Sequence, residues 1–189
     1  MTFKTLITAA LAATTLAGAA FAESHAATGN PMVGGAAMFP EMNIVENAVN
    51  SADHTTLVAA VKAAGLVDTL MSEGPFTVFA PTNAAFDRIS DASLNALLQP
   101  EAKAQLTQIL TCHMVAANAM SDAIAGMIAD DNGAHAVQTV GGCTLQAKMD
   151  GSKITLTDEN GRDATVTIAD VRQSNGVIHV IDRVLLPAQ

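Results

Sequence analysis

The chain has 189 residues, half of them apolar, and carries nine Lys and Arg against 18 Asp and Glu, a formal net charge of −9. A chain with so few cations displaces few counterions, which argues against nucleic acid or an anionic membrane surface as its partner. Because it has no Trp and no Tyr, only Phe could supply a base-stacking platform or a sugar-binding aromatic shelf.

The first 22 residues are typical of a secretory signal peptide. Lys4 precedes an uncharged run over 6–20, and Ala20-Phe21-Ala22 gives the small-residue pattern of a cleavage site. A membrane anchor is the competing interpretation, but the run is near the lower limit for crossing a bilayer. Lys4 is the only charged residue that cleavage would remove. The mature chain would keep eight Lys and Arg against 18 acidic residues, a net charge of −10. We therefore expect a secreted or periplasmic protein with no membrane insertion after signal removal.

Residues 23–42 contain Gly, Pro and Ala without a period, and we expect an irregular N-terminal arm before a single domain at 43–187. The arm carries imidazole and thioether side chains that suit Cu(I), namely His25, Met32, Met38 and Met42. They follow no tight repeat, so packing of the arm on the domain, or disorder, is favoured over copper binding.

The domain begins with helical patterns. Asn43 and Glu46 have the spacing of a capping box, and apolar residues follow on one helical face. Asp53 precedes a second helix, which Gly65 ends. An apolar strand at 76–80 then stops at a proline, after which Thr82 can cap a helix. The remaining patterns of this half predict helices at 93–98, from Pro100 and at 121–128, with a strand at 112–115.

From Val137 onward the patterns favour strands. Alternating segments are separated by Gly141-Gly142, Asn160-Gly161 and Asn175-Gly176, which are typical of hairpin turns. Helices come first and strands dominate last, so the fold class predicted is α+β rather than a parallel α/β sheet.

Three segments carry a family resemblance: Phe76–Phe86 (FTVFAPTNAAF), Leu110–Val115 and Asn175–Pro187. Together they resemble the signature segments of the fasciclin domain, and the similarity extends over about 43–187. The resemblance implies a wedge-shaped β-sandwich with N-terminal helices. It also implies a secreted or surface-attached protein that mediates adhesion and protein–protein contact, in a family most of whose members have no demonstrated catalysis.

The resemblance also places candidate interaction residues. The Tyr-His motif of adhesive members falls on Cys112-His113, without the Tyr, and an Asp-Ile motif that some animal members offer to integrins falls on Asp170-Val171, with Val for Ile. His179 alternates with apolar residues on the last strand. We expect interaction roles for His113, Asp170, Val171 and His179, although a lone His on an apolar strand is more often a hydrogen-bonded core residue. A metal or ligand held jointly by the two histidines is the less favoured alternative, because no Asp, Glu or Cys spacing supports it.

The two cysteines, Cys112 and Cys143, are predicted to form a structural disulfide, because a small even count in an exported protein favours one. The alternative is a redox-active or metal-binding pair, for which the close C-x-x-C spacing is missing.

The sequence shows no nucleophile–base pair, phosphate loop or metal-ligand cluster. We therefore expect no enzyme activity, no metal and no cofactor. The predicted function is binding to an envelope or extracellular protein or matrix partner, with nucleic acid excluded. The alternative is a carrier of an apolar small molecule or pigment, because some family members resemble pigment carriers and half the residues are apolar.

Overall fold

The computed structural model describes residues 29–188, so the predicted signal peptide, the first residues of the arm and His25 lie outside the described residues. The described part of the arm contains one short regular element. Met32–Val33 (β1) and Ala36–Ala37 (β2) pair as an antiparallel hairpin. Val33 and Met38 are 4% and 2% exposed and belong to the core. The packed unit therefore starts before Asn43.

The α-helices of the described residues are short. They are α1 (Ile44–Ala48), α2 (Thr55–Ala64), α3 (Val67–Met71), α4 (Asn83–Phe86), α5 (Asp91–Leu97), α6 (Lys103–Thr111) and α7 (Ser121–Asp130). The predicted capping box is present: Asn43 Oδ1 accepts from the N–H groups of Val45 and Glu46, and the Glu46 carboxylate accepts from the Asn43 N–H. Gly65 ends α2 at a φ of 73°, as a left-handed C-cap should.

Seven further strands form one sheet. They are β3 (Phe76–Pro81), β4 (Met114–Val115), β5 (Ala134–Gln138), β6 (Thr144–Asp150), β7 (Lys153–Thr157), β8 (Asp163–Gln173) and β9 (Gly176–Ile181). Their order across the sheet is β4-β3-β9-β8-β7-β6-β5. β3 and β9 run parallel, and every other neighbouring pair is antiparallel.

The long strand β8 turns this sheet into a sandwich. Its first residues, 163–165, pair with β7, whereas the rest of the strand pairs with β9 through two register shifts between Val166 and Val171. Bulges bend a strand and increase its twist. The sheet therefore curls until its two halves face each other, and helices cover one outer face. This confirms the predicted α+β class, with the sandwich made from one curved sheet.

The two edges of the curled sheet meet near the cysteines. Val140 donates its N–H to the carbonyl of Met114 on β4 at 2.8 Å, and Gly141 donates to the carbonyl of Thr111 at 3.0 Å. The predicted disulfide between Cys112 and Cys143 is present beside these bonds, with the two Cα atoms 5.3 Å apart. It links the end of α6 to the start of β6 and so holds the sheet nearly closed.

Two apolar clusters fill the molecule. The first lies between the helices and the β3–β9–β8 part of the sheet, and it includes Val33, Ile44, Leu57, Val61, Leu110 and Ile178. The second lies inside the curled sheet, and it includes Phe79, Ile124, Leu145, Leu156, Val166 and Leu185. Residues of β3 therefore contribute to both clusters.

Candidate functional site

Most of the residues predicted for interaction lie inside the protein. His113 is 2% exposed, and Val171 and His179 are fully buried, so none of these three side chains meets a partner at the surface of this structure. Asp170 is half-buried at the bulge of β8. These residues can therefore affect the protein surface only through the segments that they hold in place, which their hydrogen bonds identify.

His113 connects α6 to the C-terminal segment. Its Nδ1 donates to the carbonyl of Ile109 at 2.8 Å, and its Nε2 accepts from the N–H of Leu185 at 2.9 Å. Burial lowers the pKa of His113 to about 4, against smaller raising effects from the Ile109 carbonyl and the charge of Asp158. The ring is therefore neutral at physiological pH and acts as a structural connector.

His179 connects β9 to the loop before α7. Its Nε2 donates to the carbonyl of Ala119 at 2.8 Å, and its Nδ1 accepts from the N–H of Asp170 at 3.3 Å. Burial lowers the pKa of this imidazole as well. The ring stacks on Phe79, which is paired with His179 in register and donates its own N–H to the carbonyl of His113. Phe79 therefore lies between the two histidines.

This arrangement bears on the alternative of a shared metal. Both ring nitrogens of His113 and of His179 already have protein partners. Within residues 29–188, no group of three or more His, Cys, Asp or Glu side chains could hold a metal ion. In this structure the two histidines make hydrogen bonds within the fold, and their roles in interaction stay a prediction.

The side chain of Asp170, on β8, binds the first residue of helix α7. Its Oδ1 accepts from the N–H of Ser121 at 2.7 Å, and its Oδ2 accepts from the hydroxyl of the same residue. Its φ is +60°, a backbone conformation that Asp and Asn tolerate better than most side chains. The carboxylate thus satisfies a free N–H at a helix start and offsets the helix dipole.

These groups together fix the segment 116–120, which we call the presented loop. Thr77, fully buried on β3, donates its hydroxyl to the carbonyl of Ala117 at 2.6 Å and accepts from the N–H of Ala119 at 2.9 Å. His179 and Asp170 hold its other end. The exposed residues of the presented loop are Ala116, Ala117 and Asn118, and exposed residues next along the chain to its anchors Ser121 and Asp170 are Asp122, Ala169 and Arg172; we call these six residues the contact face.

Comparison with known proteins identifies the fold family. A family model described as the fasciclin domain matches residues 52–187. The chain belongs to the fasciclin domain family. This confirms the resemblance carried by the three sequence segments.

Individual relatives of this fasciclin domain come from bacteria and animals. The chain is 42% identical over 168 residues to Protein sll1483 of Synechocystis, covering 89% of this chain and 86% of that one. It is 35% identical over 165 residues to the cell surface glycolipoprotein MPB83 of Mycobacterium bovis, covering 85% of this chain and 66% of that one. Among solved structures, a FAS1 domain pair from the insect cell adhesion molecule Fasciclin I superposes with a TM-score of 0.68 at 18% identity. That match covers 78% of this chain and 51% of the domain pair, and it shows the fold.

Proposed function

We propose that this fasciclin domain is a non-enzymatic binding protein that mediates adhesion or protein–protein contact at the cell envelope or in the extracellular matrix. The observation that carries the proposal is the family match over residues 52–187. Two relatives support it by their descriptions, one as a cell surface glycolipoprotein and one as a cell adhesion molecule. The helices within residues 29–188 are all too short or too polar to cross a membrane.

The contact face is the surface that we propose for the partner. Loops present binding residues best when rigid elements position them. Here three buried or half-buried groups, Thr77 on β3, His179 on β9 and Asp170 on β8, hold the presented loop and the start of α7 against three strands. We propose that His113, Val171 and His179 contribute to binding only by positioning this surface.

Beads coated with the purified protein test this surface directly. Their retention is measured on intact cells and on extracellular matrix from the producing organism. Asn118→Arg adds a positive charge and a larger side chain to the contact face, and Arg172→Glu reverses a charge there. The two substitutions together are expected to lower retention at least tenfold. The matched control is Asn95→Arg with Lys153→Glu, which makes the same changes of charge at exposed positions elsewhere. Equal retention of both double variants would contradict the choice of surface.

A second candidate function is a carrier of an apolar small molecule or pigment. It is favoured by a cavity of about 50 Å³ in the first core cluster, with an apolar accessible wall. The test is the native mass and absorbance above 300 nm of protein purified from its own envelope. Because the chain has no Trp and no Tyr, its ordinary side chains do not absorb there. Bare mass with a blank spectrum would count against the carrier.

A further inference from the structure

Two of the groups that hold the presented loop are bonded to each other. The N–H of Asp170 on β8 donates to Nδ1 of His179 on β9 at 3.3 Å, and Nε2 of His179 donates to the carbonyl of Ala119 at 2.8 Å. The carboxylate of Asp170 accepts from the N–H and the hydroxyl of Ser121, the residue that follows the loop. One chain of hydrogen bonds therefore runs from the loop through His179 and Asp170 to the start of α7.

This chain of hydrogen bonds requires a neutral imidazole at His179. The carbonyl of Ala119 can only accept, so the proton of the neutral ring lies on Nε2. The backbone N–H of Asp170 can only donate, so Nδ1 must offer a lone pair. A second proton, added at Nδ1, would point at the N–H of Asp170. Protonation of the ring therefore breaks the bond between β8 and β9 at this position.

The surroundings of His179 offer little to a protonated ring. The presented loop contributes no ionisable side chain, and neither do the other residues of β3 and β9. The ionisable side chains around the ring lie on β8, at the start of α7 and across Phe79: Asp170, Arg172, Asp122 and His113. Arg172 and Asp122 are exposed, and Phe79 separates the two histidines. The carboxylate of Asp170 is therefore the group that can answer a positive charge on the ring.

Asp170 cannot serve His179 and the helix equally well. Both oxygens of its carboxylate accept from Ser121 when the ring is neutral. If the carboxylate turns toward a protonated Nδ1, its bonds to Ser121 weaken and the first residue of α7 loses its anchor. If it stays with Ser121, a buried positive donor on the ring faces another donor and has no acceptor. Both outcomes loosen the presented loop.

We propose that protonation of His179 releases the presented loop and thereby weakens partner binding by the contact face under mildly acidic conditions. The effect on binding rests on the contact face proposed above, whereas the release of the loop does not. Thr77, the third group that holds the loop, has no ionisable side chain and keeps its bonds to Ala117 and Ala119 when the pH changes. The release is therefore a local loosening at the α7 end of the loop.

The sign and size of the effect follow from burial of the ring. Burial lowers the pKa of His179 from 6.5, and the Ala119 carbonyl and the charge of Asp170 offset this only in part. In the released form the ring meets water and regains its ordinary pKa, so acid favours release. The released fraction should rise by up to about tenfold per pH unit below about pH 6.5, until the lowered pKa is reached.

Amide hydrogen exchange followed by NMR measures the release without any partner. The amides followed are those of Ala119, bonded to Thr77, and Ser121, bonded to Asp170. After correction for the intrinsic pH dependence of exchange, both should exchange about fivefold to tenfold faster at pH 5.5 than at pH 7.5. The reference is the amide of Leu66, which donates to the carbonyl of Val61 in α2 and should change much less.

Two variants assign the change to His179. His179→Gln keeps an N–H for the Ala119 carbonyl but does not titrate, so exchange at Ala119 should no longer depend on pH. His135→Gln makes the same change on β5, where the ring binds Asp131, and should keep the response of the parent. If His179→Gln does not fold, the parent decides, because the ¹⁵N signals of His179 must then report protonation over the pH range in which exchange accelerates.

Bead retention at the two pH values connects the loop to binding. The parent should lose at least fivefold of its retention at pH 5.5, and His179→Gln should lose much less. Equal corrected exchange at both pH values, or acceleration that survives His179→Gln, would overturn the release. Faster exchange with full retention at pH 5.5 would overturn the control of binding. If the parent is not retained even at pH 7.5, the proposed contact face is wrong, and exchange alone then decides whether the loop is released.

Discussion

Lowering the pH should destabilise this protein through His113, starting at pH values well above those at which its carboxylates titrate. The imidazole of His113 is buried and neutral, and its pKa is lowered from 6.5 to about 4. Between these two values the unfolded chain binds a proton that the folded chain excludes. Stability is therefore full above about pH 6.5, falls as the pH falls, and loses nothing more from this group below about pH 4. At roughly 1.4 kcal/mol per pH unit, the loss from His113 amounts to about 3 kcal/mol.

Other groups act in the same direction. The pKa values of His54 and His179 are also lowered by burial, which adds to the loss below pH 6.5. For Asp158, burial alone would raise the pKa, but hydrogen bonds from the backbone of Arg162 and Leu186, and the Arg162 guanidinium, lower it overall. Its contribution is present above the ordinary carboxyl pKa and is lost only at lower pH.

Urea unfolding measured at intervals from pH 7.5 to 4 tests this reasoning. The parent should lose about 1 kcal/mol or more per pH unit between pH 6 and 5, and the slope from His113 should lessen toward pH 4. His113→Gln keeps a donor and an acceptor but does not titrate, so it should lower stability at pH 7.5 and flatten the pH dependence. Parallel pH profiles for parent and variant would refute the assignment of this slope to His113.

Three further changes test the framework, each measured as a free energy of unfolding in urea. Replacing both cysteines, Cys112→Ala with Cys143→Ala, should cost up to about 3.7 kcal/mol, the loop-closure value for 31 residues; stability equal to the parent's would show that the disulfide is not structural. Asp170→Ala loses the α7 contacts and places a Cβ at positive φ, so it should be about 1 kcal/mol less stable than Asp170→Gly, and the reverse order would contradict the backbone argument. Asn175→Ala removes three bonds that join α1 and α3 to the β8–β9 turn and should cost about 2–4 kcal/mol, whereas Asn160→Ala at another Asn-Gly turn should cost less.

Local signals in the sequence predicted local structure well. The capping box at Asn43 and Glu46 and the C-cap at Gly65 each depend on residues within one or two helical turns, and the structure has both. The disulfide was predicted from cysteine number and export alone, and it is present. The three family segments identified the fold, because they contain the strands β3 and β9, which lie side by side as the sheet's parallel pair.

Long-range contacts account for what the sequence did not show. The aperiodic Gly, Pro and Ala of the arm gave no sign of the short β1–β2 hairpin, whose segment is held at Phe39 by Asn47 of a later helix. The presented loop depends on Thr77, some 40 residues earlier, and on His179, 60 residues later. A buried polar residue inside an apolar strand, such as Thr77, was the available signal, but its partner cannot be read from spacing.

The interaction residues illustrate the same limit. The motif comparison selected His113, Asp170, Val171 and His179 by family position, and strand alternation already suggested that the histidines were buried. Which surface they would position could not be predicted, since the bulge in β8 determines that Asp170 turns toward α7. No motif or pattern in the sequence marks the exposed residues Asn118 and Arg172 as part of a contact surface.

The most direct test of adhesion is attachment of the producing organism itself. A strain lacking the gene is complemented with the parent, with the Asn118→Arg and Arg172→Glu double variant, or with the Asn95→Arg and Lys153→Glu control, at matched exported levels. Cell mass retained on a surface or matrix is then measured under flow. We predict that the parent and the control restore attachment and that the contact-face variant does not. Attachment that is unchanged when the gene is deleted would contradict the adhesive function proposed for this protein.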